Sequence, residues 1–195
     1  MLRLRPMTED DLPAIRAWLE LPHVARWWLA GTTADEEIAK CRGSLGPQSP
    51  ATVMLTVTWD DVPIGWCQWY RWADSPDDAE AMGALAGEAG IDYAIGDPAF
   101  VGRGIGTRLI ATLVAHVRQQ HPGAGLLTDP DAANVASRRV LEKNGFHLVG
   151  VRPVVTEPSD RPMAIYRLPE VAPPRGRGGH ERSSGRGAPD GAGQL

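Results

Sequence analysis

An α+β fold in one domain, with a mixed and mostly antiparallel sheet flanked by helices, is predicted by three features of the sequence. Two β-rich runs, Ala51 to Trp59 and Val62 to Trp72, flank Asp60-Asp61 and read as an antiparallel hairpin. From Gly90 onward, strand and helix signals alternate as β-α-β-α-β. Between those halves, Gly102-Arg103-Gly104-Ile105-Gly106 marks a strand-to-helix junction.

The elements follow in order. Leu2-Arg3-Leu4-Arg5 alternates in polarity as a strand does. Thr8 before Glu9-Asp10-Asp11 has the form of an N-cap with an acidic first turn. It opens an amphipathic helix through Leu12, Ile15 and Leu19. Short helices are expected from about His23 to Trp28 and from Thr33 to Arg42. On the strand Val62 to Trp72, Trp66 and Trp72 are expected on one face with Ile64 and Tyr70, and Trp69 on the other. No element is assigned between Trp72 and the strand Gly90 to Ile95. Leu109, Ile110, Leu113, Val114 and Val117 share one face of the helix after the glycine run. Gly125 to Thr128 is a short strand. Asn134 to Asn144 is a helix stopped at Gly145, where glycine tolerates left-handed geometry. Phe146 to Val151 and Met163 to Leu168 complete the sheet.

Of the 195 residues, 1–168 are expected to form the domain. Pro169 to Leu195 is rich in Gly, Arg and Pro and offers little to bury, so it is expected to be a disordered, solvated tail. Two cysteines, Cys41 and Cys67, exclude a disulfide framework, and the scattered histidines have no metal-ligand spacing, so no metal is expected. A net charge of −4 argues against a nucleic-acid binder, and no apolar run is long enough to span a bilayer. A soluble cytoplasmic protein is the expectation, with monomer and homodimer both compatible with it.

The glycine run lets backbone approach a ligand closely, and a helix N-terminus behind it favours an anion. Such a turn is also an ordinary connector, and this one lacks the Gly-Lys-Ser/Thr of a nucleotide P-loop. Its context is more specific. Asn134-Val135-Ala136-Ser137-Arg138-Arg139-Val140-Leu141-Glu142-Lys143-Asn144-Gly145-Phe146 follows some 30 residues later, and the two motifs together resemble the N-acetyltransferases of the GNAT superfamily. That resemblance implies the GNAT fold and acetyl-CoA as cosubstrate. Gly102, Arg103, Gly104, Ile105, Gly106 and Thr107 would hold its pyrophosphate and Asn134 its pantetheine arm. For the bound cofactor, backbone N–H groups of the strand at Tyr93, Ala94 and Ile95 are expected to stabilise the oxyanion of acyl transfer. Val101 stands where the family loop usually starts with Gln or Arg. Leu141 stands where the family often has a Tyr that protonates the CoA thiolate.

More of the chain, roughly residues 3 to 168, is similar to aminoglycoside 6′-N-acetyltransferases. Arg26-Trp27-Trp28, Pro63-Ile64-Gly65-x-x-Gln68-x-Tyr70, Gly90-Ile91-Asp92, Thr128-Asp129-Pro130 and Asn134 follow the same order. The resemblance implies direct acetyl transfer to the 6′-amine of a polycationic antibiotic. Asp92 would take the proton of the reacting amine. Asp77, Asp129 and Asp160 would contact its other amines, and Trp27 and Trp28 would line the pocket. The residues agree in one respect. Seven acids and no Lys, Arg or His lie between Trp72 and Gly102, a stretch that either solvates a loop or attracts a cation. An aspartate at the position of Asp92 can also serve only to cap a turn. Two other readings stay open: an acetyltransferase for another amine, such as a siderophore precursor or a protein N-terminus, and a non-catalytic acyl-CoA sensor.

Overall fold

A computed structural model describes residues 1–46, 51–154 and 161–171. The expected tail lies, from residue 172 on, outside the described residues. Strands are β1 (Leu2–Pro6), β2 (Thr52–Trp59), β3 (Val62–Arg71), β4 (Ala89–Ile95), β5 (Leu126–Thr128), β6 (His147–Arg152) and β7 (Met163–Leu168). Helices are α1 (Leu12–Leu19), α2 (Pro22–Trp28), α3 (Ala34–Gly43), α4 (Pro76–Met82), α5 (Ile105–Gln120) and α6 (Val135–Lys143). The strands form one sheet in the order β1-β2-β3-β4-β5-β7-β6. Every neighbouring pair is antiparallel except β4 and β5.

The β2–β3 hairpin turns on Asp60 and Asp61, both left-handed at φ 49° and 67°. That pair of conformations matches the right-handed twist of the two strands, and a short polar side chain tolerates it. One face of the sheet packs on α5 and α6 through Leu109, Ile110, Leu113, Val117 and Leu141, against Leu55, Ile91, Leu126 and Tyr166. The other face carries α1, α2 and α3, with Ile15, Leu19, Val24 and Ile38 against Met54 and Trp66. A third, smaller cluster seats α4 by packing Met82 on Trp72, Leu127 and Ile165.

Two sequence expectations change here. The β2–β3 register slips between Val57 and Thr58, leaving Ile64 as an extra residue. An extra residue reverses the facing of what precedes it. Ile64 therefore joins the α5/α6 core with Cys67 and Trp69, while Trp66 faces the opposite helices. The second change is α4, which occupies the stretch to which no element was assigned.

Asp11 ties the N-terminal strand to the helices above it. Its carboxylate accepts from Arg5 at 2.6 and 2.7 Å, from the Thr8 backbone at 2.9 Å and from Thr56 at 2.9 Å. Burial alone raises the Asp11 pKa, but these donors outweigh it and hold the group at about 2.

Candidate functional site

The parallel pair β4–β5 makes the site. It is in register only at Ala89–Leu126 and Gly90–Leu127, although β4 continues to Ile95. Ala89 donates its N–H to Gly125 O at 2.9 Å, the Thr128 hydroxyl donates to Ile91 O at 2.8 Å, and His23 Nε2 donates to Ile95 O at 3.2 Å. Odd-numbered residues of β4 thus turn their backbone toward β5 and the gap beyond it. The two-residue period puts the Tyr93 N–H and C=O on that side as well.

A cleft of about 460 Å³ runs from this gap to the N-terminus of α5. Tyr93, Ala94, Ile95, Gly102, Gly104, Gly106, Thr107 and Asn134 line it, eight of the ten positions read from the sequence for cofactor binding. The other two lie elsewhere. Ile105 is buried in the α5 core, and Arg103 is exposed and off the lining. Gly102 and Gly104 are left-handed at φ 76° and 75°, and a Cβ on either would meet nothing within 4 Å. Their space is an open cradle beneath the unsatisfied first-turn N–H groups of a 16-residue helix. Arg139 and Lys143, one turn apart on α6, add positive charge to the wall. The residues present therefore fit a phosphate-bearing acyl carrier. Arg139 and Lys143 were not singled out from sequence, although their spacing of four on a helix was visible.

A second cleft, about 410 Å³, meets the first along Trp27, Trp28, Tyr93, Asn134 and Ser137, which line both. A smaller one of about 240 Å³ extends it under α4. Asp92 and Asp129 line both of these acceptor-side clefts. Asp92 is half-buried, and its Oδ2 accepts from Gln68 Nε2 at 2.8 Å, its direct cross-strand neighbour. Five carboxylates line the two spaces (Glu37, Asp78, Asp92, Asp129 and Asp131) against two cations, Lys40 and Arg161. The cations sit in ion pairs, Lys40 with Glu37 at 2.6 Å and Arg161 with Asp131 at 3.1 Å. The remaining carboxylates of the two spaces are Asp78, Asp92 and Asp129.

Asp77 does not join them. It is exposed on α4, and Asp78 lines the cleft in its place. The rest of the acidic stretch divides similarly. Asp74 pairs with Arg71 at 2.8 Å, Asp97 accepts from Ala99 N–H, and Glu80 is exposed. Glu88, 4% exposed, receives Arg167 at 2.7 Å and the Leu85 N–H at 2.7 Å. Asp160 lies outside the described residues.

Trp28 packs edge-on against Trp66 at 4.8 Å and donates its indole N–H to Glu37 at 3.0 Å. Trp27 is covered by the Arg26 guanidinium 4.5 Å from its ring centre. Asn134 caps α6, accepting from the Ser137 N–H at 3.1 Å. Opposite it, the Tyr93 hydroxyl lies 2.6 Å from Ser137 Oγ. Leu141 is fully buried in the core, and burial pushes the Cys67 thiol far up, so neither offers chemistry to the clefts. Among the described residues no group of three potential ligands could hold a metal, and no helix is long and apolar enough to cross a membrane.

A parallel pair paired over only two residues thus opens onto a glycine-cradled helix N-terminus, a site with room for an anionic carrier. The match of residues 7–167 to the Acetyltransferase (GNAT) domain model agrees with it. The chain belongs to the GNAT acetyltransferases. It is 32% identical over 168 residues to the aminoglycoside N(6′)-acetyltransferase type 1 of Klebsiella pneumoniae, covering 85% of this chain and 81% of that one. It is also 29% identical over 170 residues to the lysine N-acyltransferase MbtK of Mycobacterium tuberculosis, covering 86% and 76%. Among solved structures it is similar to AAC(6′)-Ib in complex with ribostamycin and coenzyme A, with TM-score 0.72 and 27% identity over 86% of this chain and 93% of that one. The complex of the same enzyme with coenzyme A and kanamycin gives TM-score 0.70 and 26% identity over 87% and 95%.

Proposed function

We propose that this protein transfers the acetyl group of acetyl-CoA directly to the 6′-amine of an aminoglycoside antibiotic and thereby confers resistance in the cytoplasm. The observation that carries this reading is the convergence of Asp78, Asp92 and Asp129 on clefts that meet the glycine-cradled one at Tyr93 and Ser137. A polycation is attracted to a recess in which five carboxylates face two cations. The similarity to enzymes whose complexes contain kanamycin and ribostamycin supports the same substrate class.

In this reading the glycine cradle, the α5 N-terminus, Arg139 and Lys143 hold the phosphates, and acetyl-CoA supplies an activated acyl group. Asp92 accepts a proton from the substrate ammonium and positions the freed amine, with Gln68 fixing the carboxylate. The Tyr93 N–H, facing the gap, is placed to donate to an oxyanion. Asp78 and Asp129 hold further ammonium groups. Trp27 and Trp28 offer ring faces to the sugars.

One observation favours a second reading. Lys40 and Arg161 line the acceptor cleft and offer a place for a carboxylate, as an amino-acid-like amine would carry. Thiol release from acetyl-CoA, measured against kanamycin, tobramycin, lysine and simple amines, tests both. Turnover confined to the aminoglycosides is expected. Turnover of lysine without turnover of the drugs would overturn the first reading in favour of the second.

A further inference from the structure

We propose that Ser137, oriented by Tyr93, donates a hydrogen bond to the CoA sulfur and stabilises it as the departing thiolate. The inference rests on the acetyl-CoA part of the proposed function and not on which amine is acetylated.

Whatever the acceptor, a thioester reached from the glycine cradle and an amine reached from Asp92 must meet where the two clefts share a wall. Five residues form that wall. Trp28 has its N–H committed to Glu37, and Asn134 has its carbonyl oxygen committed to the Ser137 N–H. What remains prominent is a pair of hydroxyls in contact at 2.6 Å, one on β4 and one on the first turn of α6.

Hydrogen-bond accounting then sets a direction. Two hydroxyls share one contact, so one proton joins them and the other is directed elsewhere. If Ser137 donates to Tyr93, the phenol proton has, among the described residues, only the Ser137 carbonyl at 3.4 Å, a long bond. If Tyr93 donates to Ser137, the bond is short and the Ser137 proton is released toward the cleft. The second arrangement is the better one. Burial, and then the nearby Asp92 charge, raise the Tyr93 pKa against the opposing Ser137 bond, so the phenol stays protonated and remains a donor.

The step balances without a general acid. The amine lone pair forms the C–N bond, and the intermediate collapses with the C–S electron pair going to sulfur. One amine proton goes to Asp92 and the second to water. The thiolate leaves as an anion held by the Ser137 O–H and takes its proton from solvent afterwards. A cysteine-type thiol titrates at ~8.5, below the raised Tyr93 phenol, so a hydrogen bond suffices where full protonation by that phenol would run uphill. This accounts for a leaving-group site that works with Leu141 in the core.

The test reads product binding and needs no acceptor. The affinity of free CoA is measured by calorimetry at pH about 7 and about 9.5, with acetyl-CoA, which has no thiol proton, as the control. His23, Arg26, Arg139 and Lys143 face the cofactor cleft, and Glu37, Lys40, Asp92, Asp129, Asp131 and Arg161 face the acceptor side. Because these groups surround both ligands alike, the ratio of the two affinities cancels them. In the wild type CoA binding should strengthen about tenfold relative to acetyl-CoA as the thiol ionises, the effect of one hydrogen bond to a charged group. Ser137→Ala should abolish most of that gain and Tyr93→Phe part of it. Ser137→Thr should restore it, and unchanged thermal melts would show that each variant folds. Equal pH dependence in Ser137→Ala and wild type overturns the inference and leaves the cofactor reading standing. Failure of the wild type to bind CoA at all removes both.

Discussion

Replacing Asp92 by Asn changes one oxygen of a half-buried carboxylate into an amide and leaves the side chain's shape intact. The bond from Gln68 Nε2, 2.8 Å in length, survives because the amide oxygen can accept it. What is lost is the ability to take a proton. General-base catalysis typically contributes ~10²–10⁴-fold, so kcat should fall by at least about 100-fold, or about 2.7 kcal/mol in barrier. Affinity for acetyl-CoA should stay within about twofold, because Asp92 lines only the acceptor-side clefts and not the glycine cradle. The assay is steady-state thiol release with kanamycin as acceptor, from about pH 5.5 to 9. The wild type should lose rate on the acid side as the base becomes protonated, and the variant should show that limb flattened. A variant with wild-type kcat would refute the assignment and leave Asp92 as a structural residue in the middle of β4.

Further outcomes follow from the same geometry. Asp78→Asn should weaken aminoglycoside binding by about tenfold, for one contact to a charged group, while Asp77→Asn should change it by less than twofold. Isothermal titration separates the two neighbours, and the reverse order would misplace α4. Gly104→Val puts a β-branched residue at φ 75° in an open cradle, so the KM for acetyl-CoA should rise several-fold with the fold retained. An unchanged KM would argue against phosphate binding there. Asp11 is held at about 2 in the folded state, against ~3.9 when unfolded, so it stabilises the fold above the higher value. That contribution, about 1–2 kcal/mol after allowing for the partly exposed Arg5, should disappear as pH falls from about 4 to about 2. In Asp11→Asn, urea unfolding should lose this pH dependence.

Much of the fold was legible because it rests on local pattern. The spacing of Leu109, Ile110, Leu113, Val114 and Val117 predicts the buried face of α5, and all but the partly buried Val114 are fully buried. Asp60-Asp61 between two β-rich runs predicts a hairpin, since few dipeptides accept two left-handed residues in succession. Gly102 and Gly104 marked the cradle through the one conformation that disfavours other residues.

Elsewhere the sequence carried the residues but not their geometry. Strict alternation puts Ile64 on the face of Trp66, because it cannot anticipate a bulge whose position depends on the opposing strand. α4 is seven residues long and buries little beyond Met82, too short for a period to stand out, so the choice between Asp77 and Asp78 waited on its orientation. Arg103 sits in the glycine motif yet is exposed and off the cleft lining, because motif membership fixes backbone and not side-chain placement.

By itself, the sequence determined most of the strands and helices other than α4, which loop is glycine-rich, and where carboxylates are plentiful. Those properties depend on neighbours a few residues apart. Tertiary structure alone decided which strands diverge and which acids share a recess. It also brought Tyr93 and Ser137, 44 positions apart, within 2.6 Å. The parting of β4 from β5 is a balance of packing across a whole sheet, and no local interaction encodes it.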